Sequence, residues 1–222
     1  AECRTACRKS SLEGALGFYD EHILPHVIDK ACSVGQIMKL RSQLVPRAKG
    51  TVLEVGMGSG INLAFYDPET VALVYGLEPS EGMRRKAREN LQRSPVPVQW
   101  LDLPGEKIPL DDDSVDTVLL TFTLCTIPDH RTALDQMRRV LKPGGELLFL
   151  EHGESPHTGI RKWQHRITPG WKKIAGGCHL NRPIDSLLED AGFTISELEN
   201  FYMPKAPRVA GYLYQGRAHK PR

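Results

Sequence analysis

The chain has no apolar run long enough to cross a bilayer: stretches such as Leu147–Leu150 fall far short of the ~20 residues a spanning helix needs. It has no excess charge of either sign. The 29 Lys and Arg stand against 27 Asp and Glu, a net charge of +2, so no global basic field recruits nucleic acid. The five cysteines, at 3, 7, 32, 125 and 178, are odd in number and irregularly spaced, which argues against a disulfide frame and suits a reducing, cytoplasmic compartment. Cys3 and Cys7 have no second Cys or His pair at finger-like spacing. The opening "AECRTACRKSSLEGALG" contains no apolar signal core, so no export signal is expected, and residues 1–15 are read as a lead, flexible or foreign to the domain. Repeats and low-complexity tracts are absent as well. What remains is 222 residues with ordinary apolar and charged content, enough for one substantial core.

Residues 16–44 carry apolar residues at helical spacing, broken by Pro25, and predict one or two helices, an N-terminal cap over 16–48. Strands and helices then alternate. Strands are expected at 51–56, 71–78, 96–102, 115–124 and 146–152; helices are expected after Gly60, over 80–92 and over 129–142, the last halted by Pro143-Gly144-Gly145. Such alternation predicts an α/β fold with a mostly parallel sheet and helices on both faces. After residue 152 a basic, aromatic stretch precedes a helix at 183–192. Two late strands, "FTISELENFY" and "GYLYQGRA", predict an antiparallel hairpin at the sheet edge. The expected organisation is one domain over 16–222, with a cofactor-binding core at 50–152 and a lid and hairpin at 153–222.

"LEVGMGSG" (53–60) puts Gly56, Gly58 and Gly60 where the first strand turns toward its helix, the place where open parallel sheets bind ligands. Glycine there permits positive φ and close ligand approach. A dinucleotide fingerprint would want glycine where Ile61 stands, and a phosphate loop would want Gly-Lys-Ser/Thr, which is missing. Glu78 ends the second strand, placed to accept two hydrogen bonds from a ribose diol. A tight backbone without a phosphate-gripping lysine suits a nucleoside that carries an amino acid.

"LEVGMGSG", "GLEPSEGM" (76–83), "GEKIPLDDDSVDTVLL" (105–120) and "RRVLKPGGELLFLEH" (138–152), in that order, resemble the class I S-adenosylmethionine-dependent methyltransferases, with their Rossmann-like fold. The resemblance implies S-adenosyl-L-methionine as cofactor and S-adenosyl-L-homocysteine as product. It implies that Gly56, Met57, Gly58 and Gly60 line the methionine and ribose, that Glu78 binds the ribose hydroxyls, and that Pro79 and Met83 pack on adenine. Glu54 would orient the glycine loop or meet the ammonium through water. Thr121 and Leu124 fall where the family contacts cofactor. Where many relatives have an Asp-Ala pair beside adenine, this chain reads Pro104-Gly105, which leaves adenine to backbone at Gly105 or to a neighbour such as Asp102 or Glu106.

The acceptor is harder to read. The Asn/Asp-Pro-Pro-Tyr/Phe run of amide and nucleobase methylators is absent. "TFTLCTIPD" with "EHGESP…WQ…PGW…GGCHLNR" is similar to the methyltransferase-like 7 group of thiol methyltransferases and their bacterial relatives, which implies thiol S-methylation of a small molecule. The alternatives are a methyltransferase of a phospholipid headgroup or quinone precursor, and a cofactor-binding protein without turnover. Glu151 and His152 end the fifth strand at its carboxyl edge, so one is expected to face the pocket, His152 as base or orienter. Tyr19, His22, Cys125, Trp163, Trp171 and His179 are candidate substrate-pocket residues, each with an ordinary packing or surface role as the alternative. Cys125, His152, His165, Cys178 and His179 match no zinc template, and no metal is expected. The basic segment 157–177 reads as a lid, because Pro169-Gly170 should break a continuous helix; a weak membrane-surface contact is the other reading. The sequence leaves the oligomeric state open.

Overall fold

The computed structural model describes residues 26, 29, 30 and 32–221. Tyr19, His22 and the 1–15 lead lie outside the described residues, as does most of the expected cap before Ser33. Helix α1 (Gly35–Leu44) leads into strand β1 (Gly50–Val55), a 3-10 turn (Ile61–Phe65), β2 (Val71–Leu77), α2 (Glu81–Gln92), β3 (Val98–Leu101) and β4 (Val115–Thr121). Then come α3 (His130–Val140), β5 (Leu141–His152), α4 (Thr158–Ile174), α5 (Ile184–Asp190), β6 (Thr194–Tyr202) and β7 (Tyr212–His219).

The strands form one sheet in the order β3-β2-β1-β4-β5-β7-β6. The first five run parallel, and β7 is antiparallel to both β5 and β6. The late hairpin therefore sits at the edge as expected, with its second strand inserted between β5 and its first. Chain direction across the sheet reverses between β1 and β4, which opens a crevice beyond their carboxyl ends.

Both faces of the central strands are covered, so β1, β4 and the end of β5 read as nearly continuous apolar runs, whereas the edge strand β6 is mostly exposed. Their period of two still sorts the side chains. Leu53, Val118, Leu120, Leu147 and Phe149 enter one core, while Val52, Leu119, Leu148 and Leu150 enter the other. Helix α3 buries Ala133, Leu134, Met137 and Val140 on one stripe and is capped where Asp129 accepts from the Thr132 N–H. Ser80 caps α2 in the same manner.

Three expectations need correction. The segment after Gly60 forms only a five-residue 3-10 turn, because Pro68 holds the chain before it extended and Tyr66 is already in extended backbone. The Pro143-Gly144-Gly145 run does follow a helix, but that helix ends at Val140 and the run belongs to β5, whose start pairs Leu141 with Val115 across a register shift. Pro169 does not break the basic segment: α4 runs through it. The Thr168 hydroxyl donates to the Gln164 carbonyl at 2.7 Å, a side-chain bond beside the position where proline removes a backbone one.

Candidate functional site

At the end of β1 the chain turns through Gly56 and Gly58 with φ of +70° and +60°. A Cβ at Gly56 would fall 2.3 Å from the Thr123 side chain, so this turn depends on glycine for both space and conformation. Gly56 and Met57 donate their N–H groups to the Leu77 carbonyl at 2.8 and 3.1 Å, which ties the turn to the end of β2. The Glu78 carboxylate accepts from the Gly58 N–H at 3.0 Å and from the Ser80 N–H at 2.8 Å. Burial raises its pKa against the pull of those two donors. Each oxygen takes one backbone bond and keeps a free lone pair, so a sugar diol is the chemistry this carboxylate can still accept.

These groups line a pocket of about 460 Å³, in the ~300–1,000 Å³ range of small-molecule sites. Of the cofactor residues expected from sequence, Gly56, Met57, Gly58, Glu78, Pro79, Met83, Gly105, Glu106 and Thr121 form its wall. Glu54, Gly60 and Leu124 do not line it. Leu124 is fully buried in the core, and Gly60 supplies the left-handed residue that starts the 3-10 turn.

Glu54 instead anchors a buried polar network beneath the pocket. Its carboxylate accepts from Asn62 Nδ2 and from the Tyr66 hydroxyl, each at 2.8 Å. Asn62 Oδ1 in turn accepts from the Arg41 guanidinium at 2.7 Å, and Arg41 also donates to Thr121 Oγ1 at 2.8 Å. Burial pushes Glu54 up to about 7, although Tyr66, Asn62 and the Arg41 charge oppose the shift. Arg41 and Thr121 both reach the pocket wall, so this network fixes one positive charge at the site.

The wall's other flank comes from residues the sequence did not single out: Asp29, Cys32, Arg41, Phe122, Thr123, Thr126, Ile127 and Gly176. Asp29 accepts from Ser59 Oγ at 2.5 Å and pairs with Lys86 at 3.2 Å, which fastens the described part of the N-terminal segment to the glycine turn and α2. Phe122 has φ of +57°, and the turn it begins is capped from below by Glu151. Glu151 Oε1 accepts from the Thr123 and Leu124 N–H groups at 2.7 and 3.1 Å. Burial raises Glu151 to about 7 against those donors.

Glu151 and His152 do not reach the pocket wall. Their place at the carboxyl edge of β5 is as expected, but the turn after β4 lies over Glu151, and His152 faces Cys178. His152 Nε2 and Cys178 Sγ are 3.2 Å apart. Cys125 joins them in a small buried cluster with Leu180. Hydrogen bonding from Cys125 holds the Cys178 thiol well below its ordinary range, while the same bond and burial raise Cys125. Burial opposes a charge on His152, yet its bond to Cys178 and the nearby Cys178 and Glu151 charges raise its pKa. His179 is bonded to the Cys125 carbonyl at 3.1 Å through Nδ1 and stays off the pocket. Trp163 is 57% exposed, with Arg166 over its ring, and Trp171 is partly exposed beside Cys178. Of the expected substrate residues within the described chain, none of Cys125, Trp163, Trp171 and His179 lines the pocket.

Residues 53–149 match the methyltransferase domain family. Thiol S-methyltransferase TMT1B of Rattus norvegicus is 34% identical over 172 residues, which cover 72% of this chain and 69% of that protein. Ubiquinone/menaquinone biosynthesis C-methyltransferase UbiE of Geobacter sulfurreducens is 37% identical over 107 residues, 46% of this chain and 41% of that one. The fold is shared with phosphoethanolamine N-methyltransferase 2 of Haemonchus contortus, solved with phosphomonomethylethanolamine and S-adenosylhomocysteine: the TM-score is 0.64 at 15% identity, over 90% of this chain and 61% of that one.

Proposed function

The chain belongs to the class I S-adenosylmethionine-dependent methyltransferases, and we propose that its acceptor is a small thiol. When bound, S-adenosylmethionine supplies an electrophilic methyl group, which an in-line displacement takes up, and S-adenosylhomocysteine leaves. The residues present fit it. Gly56 and Gly58 offer bare main chain, and Glu78 keeps free acceptor capacity for the ribose diol. Pro79, Met83, Gly105 and Glu106 are assigned to the adenine side of the pocket.

One observation carries the choice of thiol. Among the described residues, no imidazole lines the pocket, and its carboxylates are engaged: Glu78 by the Gly58 and Ser80 N–H groups, Asp29 by Ser59 and Lys86, and Glu106 by the Asp129 N–H. An amine near pKa ~10 or a carbon acid would need a base at the acceptor. A thiol near ~8.5 already offers a few per cent thiolate at neutral pH. The buried Arg41 guanidinium, held by Asn62 and Thr121, favours that anion at the pocket wall. The likeness to the thiol S-methyltransferase of Rattus norvegicus supports the same reading. Holding acceptor and methyl donor in line is then the main contribution of the fold, worth up to ~7–11 kcal/mol.

The likeness to the Geobacter sulfurreducens C-methyltransferase favours a second acceptor class, a quinone precursor, over a smaller share of the chain. No helix among the described residues is long and apolar enough to cross a membrane. Of the basic segment 157–177, Gly176 lines the pocket, which supports a flanking lid rather than a membrane face.

Mass spectrometry of products from a mixed panel of small thiols, ethanolamine lipids and polyprenyl quinols tests the proposal. A methyl thioether is expected. A methylated quinol or lipid without any thioether overturns it, as does cofactor binding with no methylated product.

A further inference from the structure

Three elements distant in sequence deliver soft donors to one buried point. Cys125 lies in the turn after β4, His152 ends β5, and Cys178 follows α4; their sulfur and ring-nitrogen atoms all lie within 4.8 Å of one another. All three residues are buried. We propose that Cys125, His152 and Cys178 form a binding site for a soft divalent cation, Zn²⁺ by its chemistry.

The donor set is the first argument. Two thiolates and an imidazole select zinc over the hard cations, which take oxygen ligands, and three protein ligands leave a fourth position for an exogenous donor. Charge is the second. Arg182 stands near Cys125, Cys178 and Glu151. With both sulfurs bound as thiolates, their two negative charges balance one divalent cation. Arg182 itself is engaged with the carbonyls of Leu124 and Ile127, so it braces the turn and does not bond the sulfurs. The third argument is orientation: His152 already presents Nε2 to the sulfurs, 3.2 Å from Cys178 Sγ, which leaves Nδ1 to carry the ring proton. As each metal–sulfur bond forms, a thiol that is still protonated gives its proton to solvent.

The site flanks the pocket. Thr126, next to Cys125, and Gly176, two residues before Cys178, both line the pocket wall. A cation there would rigidify this wall by joining the β4 turn to the chain after α4. The inference does not depend on the acceptor being a thiol.

The test uses the whole chain, reduced and stripped with a chelator, then titrated with Co²⁺ as spectroscopic probe. One equivalent is expected to give thiolate-to-cobalt charge transfer and the ligand-field bands of a tetrahedral site, both abolished by Zn²⁺. Cys125→Ser and Cys178→Ser should each lower the charge-transfer intensity by about half and weaken binding at least tenfold. His152→Ala should weaken binding while keeping the charge transfer. Calorimetry with S-adenosylhomocysteine on the same variants reports whether the fold survives. Without variants, Zn²⁺ should slow alkylation of Cys125 and Cys178 in the natural chain and leave Cys3 and Cys7 unaffected. No charge transfer in the reduced chain, or no protection of the two thiols by Zn²⁺, overturns the proposal. A Cys125–Cys178 disulfide forming without metal uptake assigns the cluster to thiol oxidation and overturns it too.

Discussion

The Tyr66 hydroxyl donates to the Glu54 carboxylate at 2.8 Å, with both side chains buried beneath the glycine turn. The pair explains why an acid stands at the entrance to "GMGSG". It does not reach the ligand pocket; it holds the 3-10 turn through Asn62 and, one bond further, orients Arg41. This arrangement predicts a pH dependence of stability.

Burial raises Glu54 from 4.5 to about 7, so the folded chain holds this proton more tightly than the unfolded chain. The stability it contributes is complete below about pH 4.5 and is lost as pH rises through about 7, a change of about 3 kcal/mol. Glu54→Gln removes this titration and should flatten that part of the curve. Urea denaturation of both proteins at pH 5 and pH 8 checks it, and equal losses in the two would refute the assignment.

Glu78→Ala removes the acceptor for two backbone N–H groups and the carboxylate assigned to the ribose. S-adenosylhomocysteine affinity should fall at least tenfold, about 1.4 kcal/mol or more, because bonds to charged groups are worth ~1.5–3 kcal/mol each. Isothermal calorimetry reads this directly.

Gly56→Ala should cost roughly 1–3 kcal/mol in left-handed strain alone, with a further penalty from the 2.3 Å approach to Thr123. Adding Thr123→Gly relieves the approach but leaves the strain, so thermal melts of the double variant should recover only part of the loss.

If Arg41 favours the acceptor anion, the rate with a thiol should rise with pH along a single limb. In Arg41→Met that limb should move up by roughly one unit, because a nearby positive charge lowers an acid's pKa by about 1–3 units. Arg41→Lys should restore part of the shift. A bell-shaped profile in the natural chain would point to a dedicated base.

The parts of the fold visible in the sequence were those set by short-range pattern. Apolar runs bounded by Gly, Pro and Asp gave β1, β2, β4 and β5, and Glu78 stood out because the ligand crevice lies at strand ends. Arg41 was not legible. Its place in the pocket comes from hydrogen bonds to Asn62 and Thr121, 21 and 80 residues away, and nothing near it in sequence marks that role. Cys125, His152 and Cys178 were visible as candidate ligands and set aside, because they are 27 and 26 residues apart, outside any local ligand template, and only the fold brings them together. Glu151 was visible as an acid at a strand end, but the Phe122 conformation that turns the chain over it has no local marker. Pro169 misled because proline's effect depends on what satisfies the neighbouring carbonyls.

The position of β7 bears on how the chain assembles. Residues 212–219 pair with β5 on one side and β6 on the other, although they follow both in sequence. During synthesis the five parallel strands emerge together, while β6 has no neighbour in the sheet until these residues leave the ribosome. The nucleoside-binding half can thus order first, and the flank that carries β6 closes last.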